Sequence, residues 1–191
     1  MAPLTNNAQE MSEHRSLTDY AESDAAHPAR LPWYGVRTKP NHENVTATAL
    51  RNKGYEPYAP VYRSRRRWSD RVVDASLPLF PGYVFCRFDA TRRLPVLTTP
   101  GVLSIVAFGK GPTPIADSEI EAIQLILSSG LAAEPCPFLQ EGQRIRIVRG
   151  SLEGLEGILL KKKTDWRMVV SVTMLQRSVS VEIDHDWLEE I

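Results

Sequence analysis

From residue 79 the chain runs Leu-Phe-Pro-Gly-Tyr-Val-Phe-Cys-Arg-Phe, and at period two the end of this run separates into two apolar sets. Val84, Cys86 and Phe88 fall on one side of an extended chain, and Tyr83, Phe85 and Arg87 on the other. Its β-branched and aromatic content predicts a strand over 79–88. Helices packed on one face of a sheet need only one such set, so the second set requires a surface of its own. Upstream, Trp33-Tyr34-Gly35-Val36 predicts the start of another strand. Asn41 after Pro40 is placed as a helix N-cap, Glu43 suits the first turn, and Gly54 stands where a C-cap falls. A helix is therefore predicted over about 42–53, with Val45, Ala49 and Leu50 as its apolar stripe.

Between Tyr55 and Val73, aromatic and polar residues alternate around Tyr58, Val61 and Tyr62 before a dense arginine block. A short helix is expected near Asp89, bounded by Pro95. Val102 to Phe108 reads as a strand closed by the turn Gly109-Lys110-Gly111-Pro112. Ser118 to Glu121 fits a capping box, ahead of a helix with Ile120, Ile123 and Leu127 on one face. The order β-α-β-β-α-β-α is the signature of a ferredoxin-like α/β sandwich with an antiparallel sheet, giving an α+β class for residues 31–127.

Periodicity lapses over residues 128–138, which are small and proline-containing and read as an interdomain linker. Residues 139–191 turn all-β: 144–149 alternate, Gly150 to Gly154 make a turn, and short strands follow at 158–161, 168–173 and 179–183. Short strands so close together predict a small closed β-barrel, because closure removes exposed edges. Residues 1–30 have no sustained apolar period and read as a disordered tail.

Composition adds one asymmetry. The 191 residues include 23 Lys+Arg and 23 Asp+Glu, so the formal net charge is zero. Residues 31–127 nevertheless carry 13 bases against 8 acids, while the flanking segments are net acidic. A positive field in the middle segment favours anionic partners. The sequence lacks the apolar run of roughly 18 residues that a bilayer span needs and opens without a signal-peptide pattern, so a cytoplasmic protein without membrane attachment is expected. Cys86 and Cys136 make no CxxC pair, which excludes a disulfide scaffold or a cysteine-rich zinc site.

The search for chemistry finds no catalytic constellation. His14, His27, His42 and His185 share no metal-ligand spacing, and Cys86 lies mid-strand among apolar neighbours. Gly109-Lys110-Gly111 is too short for a phosphate loop, and the Asp184/Asp186 pair reads as solvated surface. The expectation is a protein that is not an enzyme, with no catalytic residue, no metal site and no cofactor. Two features stand out instead. Arg63, Arg65, Arg66, Arg67 and Arg71, interleaved with Tyr62 and Trp68, read as a hairpin resting on nucleic-acid phosphates; the alternative is a solvated edge. Lys161-Lys162-Lys163 is read as solvated. Phe80, Tyr83 and Phe85 together suggest an exposed apolar concavity for a partner. Residues 81–88 also approximate the RNA-stacking octamer of the RRM, failing at its first and fourth positions, so an RNA-binding module associated with the ribosome stays open.

Trp33-Tyr34, Phe80-Pro81-Gly82-Tyr83-Val84 after a basic hairpin, and Gly101-Val102 resemble the N-terminal (NGN) domain of NusG-type transcription elongation and antitermination factors. Residues 141–157 resemble their KOW motif, and 170–173 with 181–184 look like the closing strands of the SH3-like KOW barrel. The resemblance covers about residues 31–191. It implies a monomeric factor whose first domain docks on the clamp helices of the largest RNA polymerase subunit, holds the clamp closed and suppresses pausing or termination. It assigns polymerase docking to Phe80, Tyr83 and Phe85, with the basic hairpin on DNA or nascent RNA. It gives the KOW domain a partner such as a small-subunit ribosomal protein or Rho, near Leu152 and Leu175. Pro78, Phe85 and Phe88 look more like the specialised RfaH/UpxY-type paralogs. Pro95 interrupts a helix that in the family lies beside the DNA cleft, and Arg37 replaces a pocket aromatic, so those contacts do not transfer.

Overall fold

Trp33–Thr38 (β1) is the centre around which the N-terminal part assembles. The computed structural model describes residues 30–191 apart from 69–70, 140–141 and 163–164, so the expected tail over 1–30 lies, but for Arg30, outside the described residues. After β1 come α1 (Glu43–Asn52), β2 (Glu56–Tyr58), β3 (Val61–Trp68), β4 (Arg71–Pro78) and β5 (Tyr83–Arg87). Next are α2 (Leu94–Leu97), β6 (Val102–Ile105), β7 (Ala107–Phe108), β8 (Gly111–Pro112), β9 (Pro114–Ile115) and α3 (Asp117–Ser128). The remainder supplies β10 (Ala133–Cys136), β11 (Arg144–Ile147), β12 (Glu156–Lys162), β13 (Asp165–Val172), β14 (Arg177–Ile183) and β15 (Leu188–Glu190).

The first sheet has the order β2-β5-β1-β6, with β9 pairing the start of β1. This is the strand order expected of a split βαβ arrangement. The antiparallel register sets Gly35 opposite Phe85 and Val36 opposite Val84, so the two alternating sets of β1 and β5 align face by face. On one face Tyr34, Val36, Val84, Cys86 and Phe88 pack with Ala47 and Leu50 of α1 and Val96 of α2. The other face carries Trp33, Phe80 and Phe85 and packs with Ile120, Ile123 and Ile126 of α3. The second apolar set of β5 thus meets a helix of the same chain.

Helix ends depart from the sequence reading in instructive ways. The N-cap of α1 is His42, without a side-chain cap bond, because Asn41 takes a left-handed backbone (φ 61°) as the chain turns off β1. Its C-terminal end is as predicted: Gly54 has φ 85°, and Tyr55 N–H donates to Leu50 O. Helix α3 starts at Asp117 after Ala116, one residue before the expected capping box, and Ser118 makes no cap bond. Near Asp89 the chain forms a 3₁₀ turn, capped by the Asp89 carboxylate accepting from Thr91 N–H, and Pro95 occupies the first turn of the four-residue α2. The strand expected over 102–108 breaks at Val106, whose N–H bonds Gly35 O before the chain turns into the β7–β8 hairpin.

The second sheet has the order β10-β14-β13-β12-β11-β15. The segment expected to be a linker contributes β10, which pairs Ala133 with Val181 through Cys136 with Ser178. The proline-bearing segment fits because β10 is an edge strand, where a missing N–H costs no ladder bond. Arg167 of β13 ties the edge further, pairing with both Glu134 of β10 and Glu182 of β14. Alternation in β11 buries Ile145 and Ile147 and exposes Arg144 and Arg146, both of which pair with Glu156. Leu31–Ile191 forms one compact unit. No helix among the described residues is long and apolar enough to cross a membrane.

Candidate docking face and basic hairpin

The strand expected over 79–88 begins only at Tyr83, because Phe80-Pro81-Gly82-Tyr83 forms a tight turn. Tyr83 N–H donates to Phe80 O at 3.0 Å and Gly82 has φ 82°, the geometry of a type II turn with proline and glycine at its two centres. It is pinned from outside: Gly82 N–H donates to Glu43 Oε1 at 2.6 Å, and Thr38 N–H to Gly82 O at 2.8 Å. Glu43, the first residue of α1, is buried there, its carboxylate set against the positive end of the helix. The turn therefore orients Phe80 toward the same face as Phe85.

On that face the rings form a ladder. Phe80 meets Phe85 edge-on at 5.2 Å, Tyr58 stacks on Phe85 at 6.2 Å, and Trp33 lies 6.4 Å from Tyr58. Burial pushes the Tyr58 phenol up to about 12. Arg87 closes the ladder, its guanidinium 4.5 Å over the Trp33 ring, paired with Asp117 of α3 at 3.0 Å and donating to Leu31 O at 2.6 Å. One buried arginine thus fastens the start of the domain and the first turn of α3 to the sheet.

The expected open concavity is absent at this face. Phe80 is 1% exposed and Phe85 fully buried, while Tyr83 is half-buried. Part of the cover is α3 and part is the second sheet, since Ile145, Val170, Val172, Leu152 and Leu175 belong to the same apolar cluster. Gly35, the register partner of Phe85, marks the closest approach. A Cβ added there would lie 2.9 Å from Leu175 Cδ2 and 3.0 Å from Val106 Cγ2. Thr173 N–H also donates to Glu119 Oε1 of α3 at 3.4 Å. Leu152 and Leu175, expected to face a partner, are buried in this cluster instead.

The basic stretch is a β3–β4 hairpin, with Arg63 opposite Ser76, Arg65 opposite Asp74, Arg66 opposite Val73, Arg67 opposite Val72 and Trp68 opposite Arg71. Arg63 is exposed; the side chains of Arg65, Arg66, Arg67, Trp68 and Arg71 lie outside the described part of the structure. Lys163 of the lysine run also lies outside the described residues.

Cys86 is core, as its strand position implied. Burial, and secondarily the nearby Glu56 carboxylate, push its thiol up from 9.0 to about 12. The unfolded chain therefore loses this proton at lower pH than the folded chain, so the associated stability is complete below about pH 9 and falls as pH rises toward 12. Tyr58 acts in the same direction from its ordinary 10.0. Urea midpoints measured between pH 8 and pH 11 should fall, and Cys86→Ala should flatten that decline; a midpoint independent of pH would contradict it. Asp184 accepts from Asp186 N–H as a turn cap, and among the described residues no cluster of His, Cys, Asp and Glu could hold a metal.

Sequence reasoning missed the role of Gly35, where only close approach by another part of the chain requires the small residue. It also missed Arg87, whose partners lie at positions 31, 56 and 117. An arginine on an otherwise apolar strand was the signal available.

A split βαβ sheet with an aromatic face shared between a helix and a second, all-β sheet defines a mixed α/β, sheet-rich class of protein. Residues 31–124 match the family profile described as "NusG: Transcription termination factor nusG". Over 178 residues the chain is 29% identical to the transcription termination/antitermination protein NusG of Thermus thermophilus, covering 81% of this chain and 95% of that one. It is 23% identical over 176 residues to the protein of the same name from Helicobacter pylori, covering 84% and 99%. A solved structure of Thermotoga maritima NusG, titled for its domain interaction, covers 84% of this chain and 97% of that chain at 21% identity, with a TM-score of 0.47.

Proposed function

We propose that this protein is a transcription elongation and antitermination factor that works by binding. The observation that carries the reading is the Phe80-Pro81-Gly82-Tyr83 turn, which sets aromatic anchors beside Phe85 inside the segment that the NusG profile matches. The names of the similar proteins, termination/antitermination proteins, support the same reading. Phe80, Tyr83 and Phe85 form the seat for the clamp helices of RNA polymerase. Buried aromatic anchors of this kind dominate an interface. The second sheet acts as a KOW barrel and recruits a ribosomal protein or Rho through Leu152 and Leu175. Pro78, Phe85 and Phe88 align the factor with the specialised RfaH/UpxY-type paralogs, and it acts as a monomer in the cytoplasm.

Since Phe80, Phe85, Leu152 and Leu175 are buried in one cluster, both docking surfaces become available only when the second sheet leaves the first. Apparent affinity for polymerase then scales with the fraction of molecules in the open state. The test is retention of RNA polymerase by the immobilised full chain. Leu175→Asp should raise retention several-fold, and Tyr83→Ala added to it should lower retention by about tenfold or more. Retention indifferent to Tyr83→Ala in the opened protein would remove the docking assignment. Tight binding of single-stranded RNA without polymerase would point to the RNA-binding module instead.

The arginine hairpin positions the factor on the DNA or RNA backbone without reading sequence. Replacing Arg65, Arg66 and Arg67 by alanine should reduce the slope of log K against log salt by about 2–3. An unchanged slope in a filter-binding series would return the hairpin to a solvated edge.

A further inference from the structure

Helix α3 presents two stripes to the rest of the chain. Ile120, Ile123 and Ile126 are buried toward the aromatic face, while Ser118, Glu121, Ala122, Leu125 and Ser128 recur at helical spacing beside them. The second stripe borders two hollows of about 540 and 670 Å³. Their other wall is the second sheet: the turn Glu153-Gly154-Leu155 ahead of β12, and deeper Val169 and Val170 of β13. That turn is fixed, with Gly154 N–H donating to Ile147 O at 2.8 Å and Leu155 N–H to Leu152 O at 3.0 Å. Ser118, Ala122, Gly154 and Leu155 line both hollows, so the two join into one groove between α3 and the second sheet.

The charge along this groove has one sign. Glu119, Glu121, Glu153 and Glu156 line it, and among the described residues its lining contains no lysine, arginine or histidine. Glu156 is engaged by Arg144 and Arg146. Glu121 and Glu153 are exposed, and among the described residues neither is paired with a cation. Glu119 is the telling member. Its Oε1 accepts only a long bond from Thr173 N–H, at 3.4 Å, and its Oε2 is buried without a donor among the described residues. A buried carboxylate oxygen left without a donor is costly, and a cationic donor removes that cost. Between the carboxylates, Ala122, Leu125 and Leu155 supply an apolar floor.

We infer that this groove takes a basic, extended segment of a partner protein. Glu119 and Glu121 on α3 and Glu153 on the turn receive its cations, and Leu125 and Leu155 take the apolar side chains between them. Charge complementarity selects the occupant. A nucleic acid is turned away, because its phosphates meet carboxylates here, whereas the arginine hairpin is a separate element. The inference stands apart from the polymerase seat, which uses the ring face of β1 and β5, and neither Leu152 nor Leu175 lines the groove.

The test is titration of the ¹⁵N-labelled full chain with a capped hexapeptide alternating arginine and valine, and with its glutamate–valine counterpart. Saturable amide shifts should appear on both walls, at Glu121 and Leu125 and at Gly154 and Leu155, with the arginine peptide bound at least about tenfold more tightly than the glutamate one. Glu119→Gln with Glu121→Gln removes the charge but keeps an acceptor at each position, and should weaken the arginine peptide about tenfold. Glu189→Gln with Glu190→Gln, on β15 outside the groove, removes the same net charge and should leave the affinity unchanged. Equal weakening by the two pairs, equal binding of the two peptides, shifts confined to one wall, or absence of saturation at millimolar peptide would each overturn the proposal.

Discussion

Phe85→Ala lowers the unfolding free energy by about 3–5 kcal/mol, the range for removing a fully buried phenylalanine from a packed core. Phe85 is the point where three sets of contacts converge: the Phe80 edge at 5.2 Å, the Tyr58 stack at 6.2 Å, and the apolar cluster that runs through α3 into the second sheet. Its loss leaves a cavity between elements held in place by other contacts, so collapse around it is limited. Because the cluster spans both sheets, tryptophan fluorescence and far-UV circular dichroism should shift together in a urea titration. A loss below about 1 kcal/mol, or a shift seen by one probe only, would mean that the two sheets do not share a core.

Gly101→Ala is the second large effect, and its cause is different. Gly101 follows Pro100 in the turn into β6, with φ 91°, and Lys39 N–H donates to its carbonyl at 2.9 Å. An added Cβ would collide with Oγ1 of the fully buried Thr46 on α1 and would also sit in a backbone region that side chains avoid. Strain and overlap together should cost about 2–4 kcal/mol. The two parts separate in a double-mutant cycle: Thr46→Ala removes the colliding oxygen, so Gly101→Ala should cost less in that background while the backbone strain of about 1–2 kcal/mol persists. Equal costs in both backgrounds would show that the hydroxyl moves aside freely.

These two residues differ in how visible they are without coordinates. Phe85 is legible as an apolar strand residue, and its pairing with Val84 and Cys86 on opposite faces follows from period two alone. Gly101 is legible only as a turn glycine, because Thr46 lies far from it in sequence and meets it through folding. The same division holds for the aromatic face. Tyr83 and Phe85 share a face by strand alternation, which is local, whereas Phe80 joins them through the Pro81-Gly82 turn that interrupts the strand expected over 79–88. Their exposure was misjudged, because what covers them comes from α3 and from Leu175, and no local pattern says which distant apolar surface will arrive. Residues 133–136 illustrate the converse: a proline among non-periodic residues resembles a linker, yet β14 offers an edge that accepts them.

By itself the sequence determined the strand starting at Trp33, the alternating faces of residues 83–88, the helices that became α1 and α3, and the basic hairpin between β3 and β4. All of these depend on neighbours a few residues apart, through backbone sterics, propensity and periodicity. Only the tertiary structure decided that α1 and α3 lie on opposite faces, that Arg87 binds together positions 31, 56 and 117, and that the second sheet rests on the aromatic ladder at Gly35. Apolar burial has no direction along the chain, so which two greasy surfaces meet is settled by shape and area over the whole molecule.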